Sequence, residues 1–347
     1  MSGVIVNGRF AGKRLTGVQR YAKEIVERLA GRCEMVRTHA RDGIPGHRWE
    51  QFVLPLHSRG RLLWSPCNTG PVAVRRQVVT IHDTSFVDTP DCFSRSFAAW
   101  YKWLIPRLAR RCRRVTTVSE FSRRRIAEVA NLPLDRIDVV PNGIHADFKP
   151  AGEEAIDALR QRYDLTGPYL LTLGSLEPRK NLKTLLKAWP LIAARRDDLT
   201  LAVAGGLGGA NASIFNGAGV SFDDLPRVKR LGYVDDADLP ALYSGATAFV
   251  FPSVYEGFGL PPLEAMACGT PVVCSNATAL PEVVGEAAVT FDPLDVEEMA
   301  HAVLRVLEDT ALRDRLIPRG RARAAEFTWE VATDKAWRVL SEAAADN

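Results

Sequence analysis

Short runs of β-branched and aliphatic residues alternate with stretches of helical periodicity along the whole chain. That alternation predicts parallel sheets covered by helices. In the first half the runs read as strands at VIVNG (4–8), RLLWS (61–65), VVTIHD (78–83), VTTVS (115–119) and IDVVPNG (137–143). Residues 18–29 place Val18, Tyr21, Ala22, Ile25, Val26 and Leu29 on the i, i+3, i+4, i+7 stripe of an amphipathic helix. Thr16, with Gln19 three residues later, reads as its capping box. The second half predicts strands at YLLTLGS (169–175), LTLAVAGG (199–206), VKRLGYV (228–234), TAFVFPS (247–253), PVVCS (271–275) and AAVTF (287–291). A helix over 181–189 carries Leu182, Leu185, Leu186 and Trp189 on one face, and helices from Asp295 onward close the chain. The pattern is α/β, with two doubly wound units that bind ligands at the C-terminal ends of their strands.

Composition narrows the class. A chain of 347 residues favours two domains, and 46% hydrophobic with 25% charged residues excludes a disordered or collagen-like chain. No run approaches the roughly 18 apolar residues of a membrane span, and MSGVIVNGRF turns polar too soon for a secretory signal. The expectation is a cytoplasmic protein. Six cysteines fall singly without a C-x-x-C pair and read as reduced thiols packed as small hydrophobes. The six histidines show no metal-ligand spacing, so no metal site is expected.

The net charge of +4 conceals an asymmetry. Residues 1–163 hold 28 Lys/Arg against 16 Asp/Glu, whereas residues 164–347 hold 17 against 25. The step supports a domain boundary there: an N-terminal domain over 1–163, a C-terminal domain over 164–326, and a last helix over 327–347 that crosses back. The basic excess peaks between Phe93 and Arg125, where ten cations meet one acid, Glu120. Trp100, Trp103, Arg107, Arg110, Arg111 and Arg114 are the candidates there for contact with an anionic membrane surface or acceptor. A buried helix whose arginines snorkel to water fits the same pattern. No nucleic-acid motif accompanies the charge.

Three strand-to-helix turns carry candidate chemistry. In PSVYEGFGLPPLEAM (252–266), Gly257 and Gly259 let backbone approach a ligand, while Glu256 and Glu264, eight apart, suit one loop and one helix position. A carboxylate so placed accepts hydrogen bonds from vicinal sugar hydroxyls. GSLEPRKN (174–181) sets Arg179 and Lys180 just before a helix, a pairing that suits a diphosphate. GKRLTG (12–17) sets Gly17 at the start of the amphipathic helix. Each alone would also be an ordinary helix start. The stretch from Gly205 to Pro226 is glycine-rich but contains no G-x-G-x-x-G, which weakens a dinucleotide-oxidoreductase reading.

Together these segments resemble the retaining glycosyltransferases of family 4. The resemblance spans nearly the whole chain: TGVQRY (16–21), IHD (81–83), VSEFSRRRI (118–126), VVPNGI (139–144), LGSLEPRKNL (173–182), LAVAGG (201–206), LGYV (231–234), EGFGLPPLEAMACGTPVV (256–273) and FTWE (327–330). It implies the GT-B fold, two Rossmann-like doubly wound domains facing across a cleft, with a nucleotide sugar as donor substrate and no cofactor. It also implies roles. Arg179 and Lys180 would grip the donor diphosphate, Glu264 the ribose, and Glu256 would face the donor sugar. Amides of Phe258, Gly259 and Leu260 would hold sugar hydroxyls and phosphate, with Gly174 beside them and Tyr233 and Val234 at the base. From the first domain Gly17 would offer its amide and His82 would face the sugar. One departure is the first loop, where relatives carry two adjacent glycines and this chain only Gly17 next to the helix.

The implied reaction is metal-independent hexosyl transfer with retention, completed by domain closure, to a saccharide or lipid-linked saccharide in cell-surface polysaccharide or lipopolysaccharide synthesis. TGVQRY looks most like bacterial mannosyltransferases, which favours GDP-mannose over a UDP-sugar as donor. The protein would work in the cytoplasm, peripheral on the inner membrane. A sugar-nucleotide epimerase, a catalytically silent nucleotide-sugar-binding scaffold and a membrane-surface adaptor are the competing classes.

Overall fold

The computed structural model describes residues 3–12, 16–40, 43–206, 222 and 225–345. Lys13, Arg14 and Leu15 of the first turn, and most of the glycine-rich stretch between Gly205 and Pro226, lie outside the described residues. The chain forms two units, one of residues 1–90, 95–143 and 327–347, the other of 91–94 and 144–326.

In the first unit β1 (Val4–Asn7), β2 (Cys33–Val36), β3 (Leu62–Ser65), β4 (Gln77–Thr80), β5 (Arg114–Thr117) and β6 (Ile137–Val139) make one parallel sheet in the order β2-β1-β3-β4-β5-β6. The order reverses between β1 and β3. β1, β3 and β4 are buried along their whole length because helices cover both faces. The core joins Val79 and Val115 to Ile105, Leu108 and Ile126 of the covering helices. The edge strand β2, absent from the sequence reading, is only half-buried and so lacks a continuous apolar run.

In the second unit β7 (Tyr169–Leu173), β8 (Thr200–Ala204), β9 (Val228–Gly232), β10 (Ala248–Phe251), β11 (Val272–Ser275) and β12 (Ala288–Phe291) pair in the order β12-β11-β10-β7-β8-β9, all parallel. This is the doubly wound arrangement whose strand order reverses at one point, here between β7 and β10. Leu185 and Trp189 pack with Val203, Val250, Phe291, Met299 and Val303 in its core.

Three details differ from the sequence reading. The chain passes between units at 143/144, ahead of the charge step at 163. Helix Glu153–Arg162 packs in the second unit, where Leu159 is buried and Arg162 pairs with Asp238 at 2.5 Å. Thr16 does sit at the N-cap of helix Gly17–Arg28. Its hydroxyl, however, bonds the Gln19 carboxamide oxygen rather than a backbone amide, so no capping box forms. The acids missing near the arginine segment come from elsewhere: Arg114 is held by Asp138, and Arg125 by Asp88 and Glu128.

Helix Trp329–Ala345 belongs to the first unit and lies against helix Gly17–Arg28. Gly143 makes this possible, because a Cβ there would come within 2.3 Å of the Trp329 amide nitrogen. Arg113 and Arg76 donate to the last carbonyls of that helix, those of Ala343 and Ala344, where a cation also suits the helix dipole. All six cysteines are free thiols.

Candidate active site

In a doubly wound sheet, the crevice outside the strand ends opens where the strand order reverses. In the second unit the loops leaving β7 and β10 flank that point, and they carry Arg179–Lys180 and Glu256. The Lys180 Nζ donates to Glu256 Oε1 at 2.6 Å, and Arg179 Nη1 reaches Glu256 Oε2 at 3.5 Å. Arg179 is steadied by a 2.7 Å bond from its Nε to Glu177. A backbone bond of 2.9 Å from the Val254 amide to the Arg179 carbonyl ties the two loops together. Glu256 is buried, and its own amide donates to Thr278 Oγ1 at 3.0 Å. Burial alone would raise the Glu256 carboxyl, but Lys180 and Arg179 outweigh it and hold the group below the ordinary carboxylate value. Burial pushes the Lys180 ammonium below its ordinary value, against the upward pull of Glu256.

Asn181, which the sequence reading passed over, anchors this arrangement. It adopts φ 57°, ψ 30° at the start of helix Leu182–Ala193, and its Nδ2 donates to the carbonyls of Pro252 (3.0 Å) and Pro293 (2.6 Å). One side chain therefore fixes the loops after β7, β10 and β12. Its signal was available: asparagine tolerates the left-handed region that a break between a turn and a helix requires.

Gly174, Gly205 and Gly232 end three adjacent strands with backbone against backbone. The Gly174 amide bonds the Ala204 carbonyl at 3.1 Å and the Gly205 amide the Gly232 carbonyl at 2.7 Å. At φ 125°, Gly205 could carry no side chain, since a Cβ would lie 1.9 Å from the Gly174 oxygen. Beyond this floor Tyr233 is 61% exposed while Val234 is buried. Phe258 and Gly259 lead into helix Leu260–Ala267, whose second and third residues, Pro261 and Pro262, carry no amide N–H. Gly259, at φ 115°, sits against Leu280. Glu264 lies inside that helix, buried, and accepts a 3.1 Å bond from Tyr243 Oη.

The first unit holds the remaining candidates. Gly17 opens its helix, exposed. His82 is buried edge-on to Tyr21, with its amide bonded to Asn68 Oδ1 at 2.8 Å and Nε2 2.9 Å from the Pro66 carbonyl. Burial lowers its pKa despite that carbonyl and Asp83, so the ring is neutral near pH 7. Trp100, Trp103, Arg107, Arg110 and Arg111 share helix Arg95–Arg111. Arg110 turns to the Ala130 carbonyl at 2.8 Å, closing helix Glu120–Ala130, and Arg114 sits on β5 in a two-pronged pair with Asp138 at 2.7 and 2.9 Å. The structure thus separates Arg110 and Arg114 from the two tryptophans.

A third buried carboxylate had no sequence signal. Glu50 accepts from Asn7 Nδ2 (2.8 Å), Arg9 Nη1 (2.9 Å) and Thr69 Oγ1 (2.9 Å), beside the β1/β3 reversal. His47 stacks its contacts on Arg9 at 3.1 and 3.2 Å. Asn7, Arg9, Glu50 and Thr69 line a pocket of about 140 Å³ with Phe10, Gln19, Asn68 and Tyr101. They come from five stretches of chain, so no contiguous motif announces them. Among the described residues no group of three or more His, Cys, Asp or Glu side chains is arranged to hold a metal ion.

Comparison with known proteins places these features in a family. Residues 156–323 match the model of the glycosyl transferases group 1, and residues 53–148 match that of glycosyltransferase family 4. The chain is 37% identical over 264 residues to the O-antigen chain mannosyltransferase B of Escherichia coli, spanning 76% of this chain and 69% of that one. It is 32% identical to the serotype-specific mannosyltransferase WbdA of Escherichia coli over 62% of this chain, which is 27% of that longer protein. Among solved structures, HepE of Anabaena, in complex with UDP and glucose, aligns with a TM-score of 0.77 over 97% of this chain and 98% of its own, at 19% identity. The fold is GT-B.

Proposed function

The chain belongs to the group 1 glycosyltransferases, with a family 4 region ahead of the group 1 domain, and on that premise we propose that it transfers a hexosyl group, mannose from GDP-mannose, to a saccharide or lipid-linked saccharide of cell-surface polysaccharide. The observation that carries the reading is the pair of cations, Lys180 and Arg179, gathered on the buried Glu256 carboxylate at the β7/β10 reversal. Two cations held by one carboxylate and by Glu177 are positioned in advance for negative charge arriving at that point. Mannose is favoured by the O-antigen mannosyltransferase relatives; a UDP-sugar is the alternative, favoured by the UDP bound to HepE.

Transfer breaks the bond between the anomeric carbon and the phosphate oxygen and forms one to the acceptor oxygen on the same face. The acceptor hydroxyl gives its proton to the departing phosphate. Charge grows on the diphosphate as it leaves, and Arg179, Lys180 and the backbone amides of Gly259 and Leu260 stabilise it, so the reading needs neither metal nor cofactor. Glu256, engaged by Lys180, serves to orient that cation and to bind sugar hydroxyls rather than to form a covalent intermediate. A lipid-linked acceptor would bring the protein to the cytoplasmic face of an anionic membrane.

A thermal-shift screen of the protein against GDP, UDP, ADP and dTDP tests the reading. A nucleotide at about 100 times its dissociation constant stabilises the folded state by about 2.7 kcal/mol, several degrees in melting temperature. A shift with GDP alone supports GDP-mannose, and a shift with UDP alone moves the donor to a UDP-sugar. A folded protein that shifts with none of them is a silent scaffold, and the reading falls.

A further inference from the structure

The first unit carries an apolar groove that the donor chemistry does not use. It measures about 850 Å³ and is lined by Ile44, Phe52, Val72, Phe97, Trp100 and Trp103. Its side chains stand open to solvent: Ile44 is 77% exposed, Phe52 73% and Trp103 45%. A patch of this kind on a soluble unit marks a binding site.

Three features say what covers it. Arg48 and Arg111 line the groove, and Arg107 lies over the Trp103 ring, 4.7 Å from its centroid. Among the described residues none of these three arginines pairs with a carboxylate, so the apolar wall has an uncompensated positive rim. Among the described residues the buried indole N–H of Trp100 has no acceptor, nor has Nε of Arg9 in the neighbouring polar pocket. Groove and pocket adjoin. His47 lines the groove and contacts Arg9 of the pocket, and Phe97 of the groove stacks at 4.0 Å on Tyr101 of the pocket. A long hydrocarbon wall, a cationic rim and a polar pocket with an orphaned donor follow one another within a single unit.

We propose that this groove binds the hydrocarbon chain of a lipid phosphate or diphosphate, one molecule per protein chain, with its phosphate on the arginine rim and its polar head toward the Arg9–Glu50 pocket. The proposal rests on the glycosyl-transfer reading only for what that lipid carries, a saccharide awaiting extension. The guanidinium forks of Arg48 and Arg111 suit phosphate oxygens, and the stacked Trp100–Trp103 pair, ring centroids 5.2 Å apart, forms a flat wall for methylene groups.

Calorimetric titration of the full chain with octyl, decyl and dodecyl phosphate, each kept monomeric, and with dodecyl maltoside tests it. Each methylene withdrawn from water multiplies affinity about fourfold, so dodecyl phosphate should bind roughly two-hundredfold more tightly than octyl phosphate, at one per chain. Phe52→Ser and Trp103→Ala should each weaken it at least tenfold. Arg48→Ala with Arg111→Ala should erase the preference for phosphate over maltoside. Phe52 is exposed enough for its variant to fold, so the test stands even if the tryptophan variant does not. A flat chain-length series, or unchanged binding in Phe52→Ser, overturns the proposal. So does binding to phosphatidylglycerol vesicles without saturable binding of monomers, which would assign the face to a bilayer surface. Dissociation of a dimer by Phe52→Ser would likewise overturn it, as an interface between copies. Lipid binding with no nucleotide shift would leave the groove standing and count against the glycosyl-transfer reading alone.

Discussion

Glu256 and Glu50 are both buried carboxylates beside the strand pair at which their sheet reverses, β7/β10 in one unit and β1/β3 in the other. They are satisfied differently. Glu50 is enclosed by donors from an asparagine, a threonine and an arginine, all within 2.9 Å, with His47 beside them. Glu256 meets two adjacent cations, one at 2.6 Å and one only at 3.5 Å. The first arrangement spreads one charge over many partners and resembles a structural clamp. The second gathers two cations at one point, with Glu256 between them and Glu177 steadying Arg179, which is the geometry a site for an anion needs. A buried ion pair is thus not one kind of object, and the donor set decides whether it holds the fold or holds a ligand.

The sharpest way to break this contrast is to remove the cations. Arg179→Ala with Lys180→Ala should lower turnover at least a thousandfold, since single donors to a developing anion are worth about a hundred- to a thousandfold each. Steady-state sugar transfer measures it, and nucleotide-induced thermal stabilisation should vanish with it. If the double variant instead lost stability while keeping its turnover per folded molecule, Glu256 would be a clamp of the Glu50 kind.

The reverse experiment is Glu50→Gln. Breaking a buried pair leaves the Arg9 charge uncompensated, at a cost of about 3–5 kcal/mol in stability, visible as a lower urea midpoint. The nucleotide-induced shift should be unchanged, because Glu50 and the donor cluster lie in different units. Loss of nucleotide binding at unchanged stability would reverse the two assignments.

How legible each cluster was follows from the same contrast. Arg179, Lys180 and Glu256 lie in two compact segments, each directly after an apolar strand, so periodicity located the strands and the motif followed. Eleven of the twelve described strands were read, most of them because covered parallel strands are continuous apolar runs, while β9 and β12 are half-exposed edges whose apolar positions still stand out between helical stretches. β2 escaped, being half-exposed at an edge. The Glu50 cluster escaped because Asn7, Arg9, His47, Glu50 and Thr69 meet only through folding. The arginine segment misled for a related reason. Local counting found one acid, whereas Asp88 and Asp138 arrive from outside the segment.

Acid titration separates the carboxylates from the rest of the molecule with a smaller effect. Both sit below the ordinary value of 4.5 despite burial, Glu256 through Lys180 and Arg179, Glu50 through His47, Arg9 and Asn7. A depressed carboxylate contributes stability that is complete above its unfolded pKa and is lost as pH falls through the folded one. Unfolding free energy should therefore hold level down to about pH 4.5 and then decline. Glu50→Gln should flatten part of that decline, and saturating nucleotide should leave the Glu50 part untouched. A decline of the same slope in Glu50→Gln would mean that Glu50 is not ionised in the fold.

The smallest effect tests the fate of the arginine segment. Arg114 pairs with Asp138 across β5 and β6, with side chains 31% and 26% exposed, so solvent screens most of the attraction. Arg114→Ala should cost about 0.5–1 kcal/mol in stability. It should leave dodecyl phosphate binding within about twofold, because the energy of that pair stays inside the sheet rather than at the groove. Arg111→Ala makes the matched control. Arg111 lines the groove and donates to the Val72 carbonyl at 3.0 Å, so the same change in charge should now be felt by the phosphate. Equal losses from the two variants would show that lipid phosphates respond only to net charge, and the distinction drawn between paired and unpaired arginines would fail.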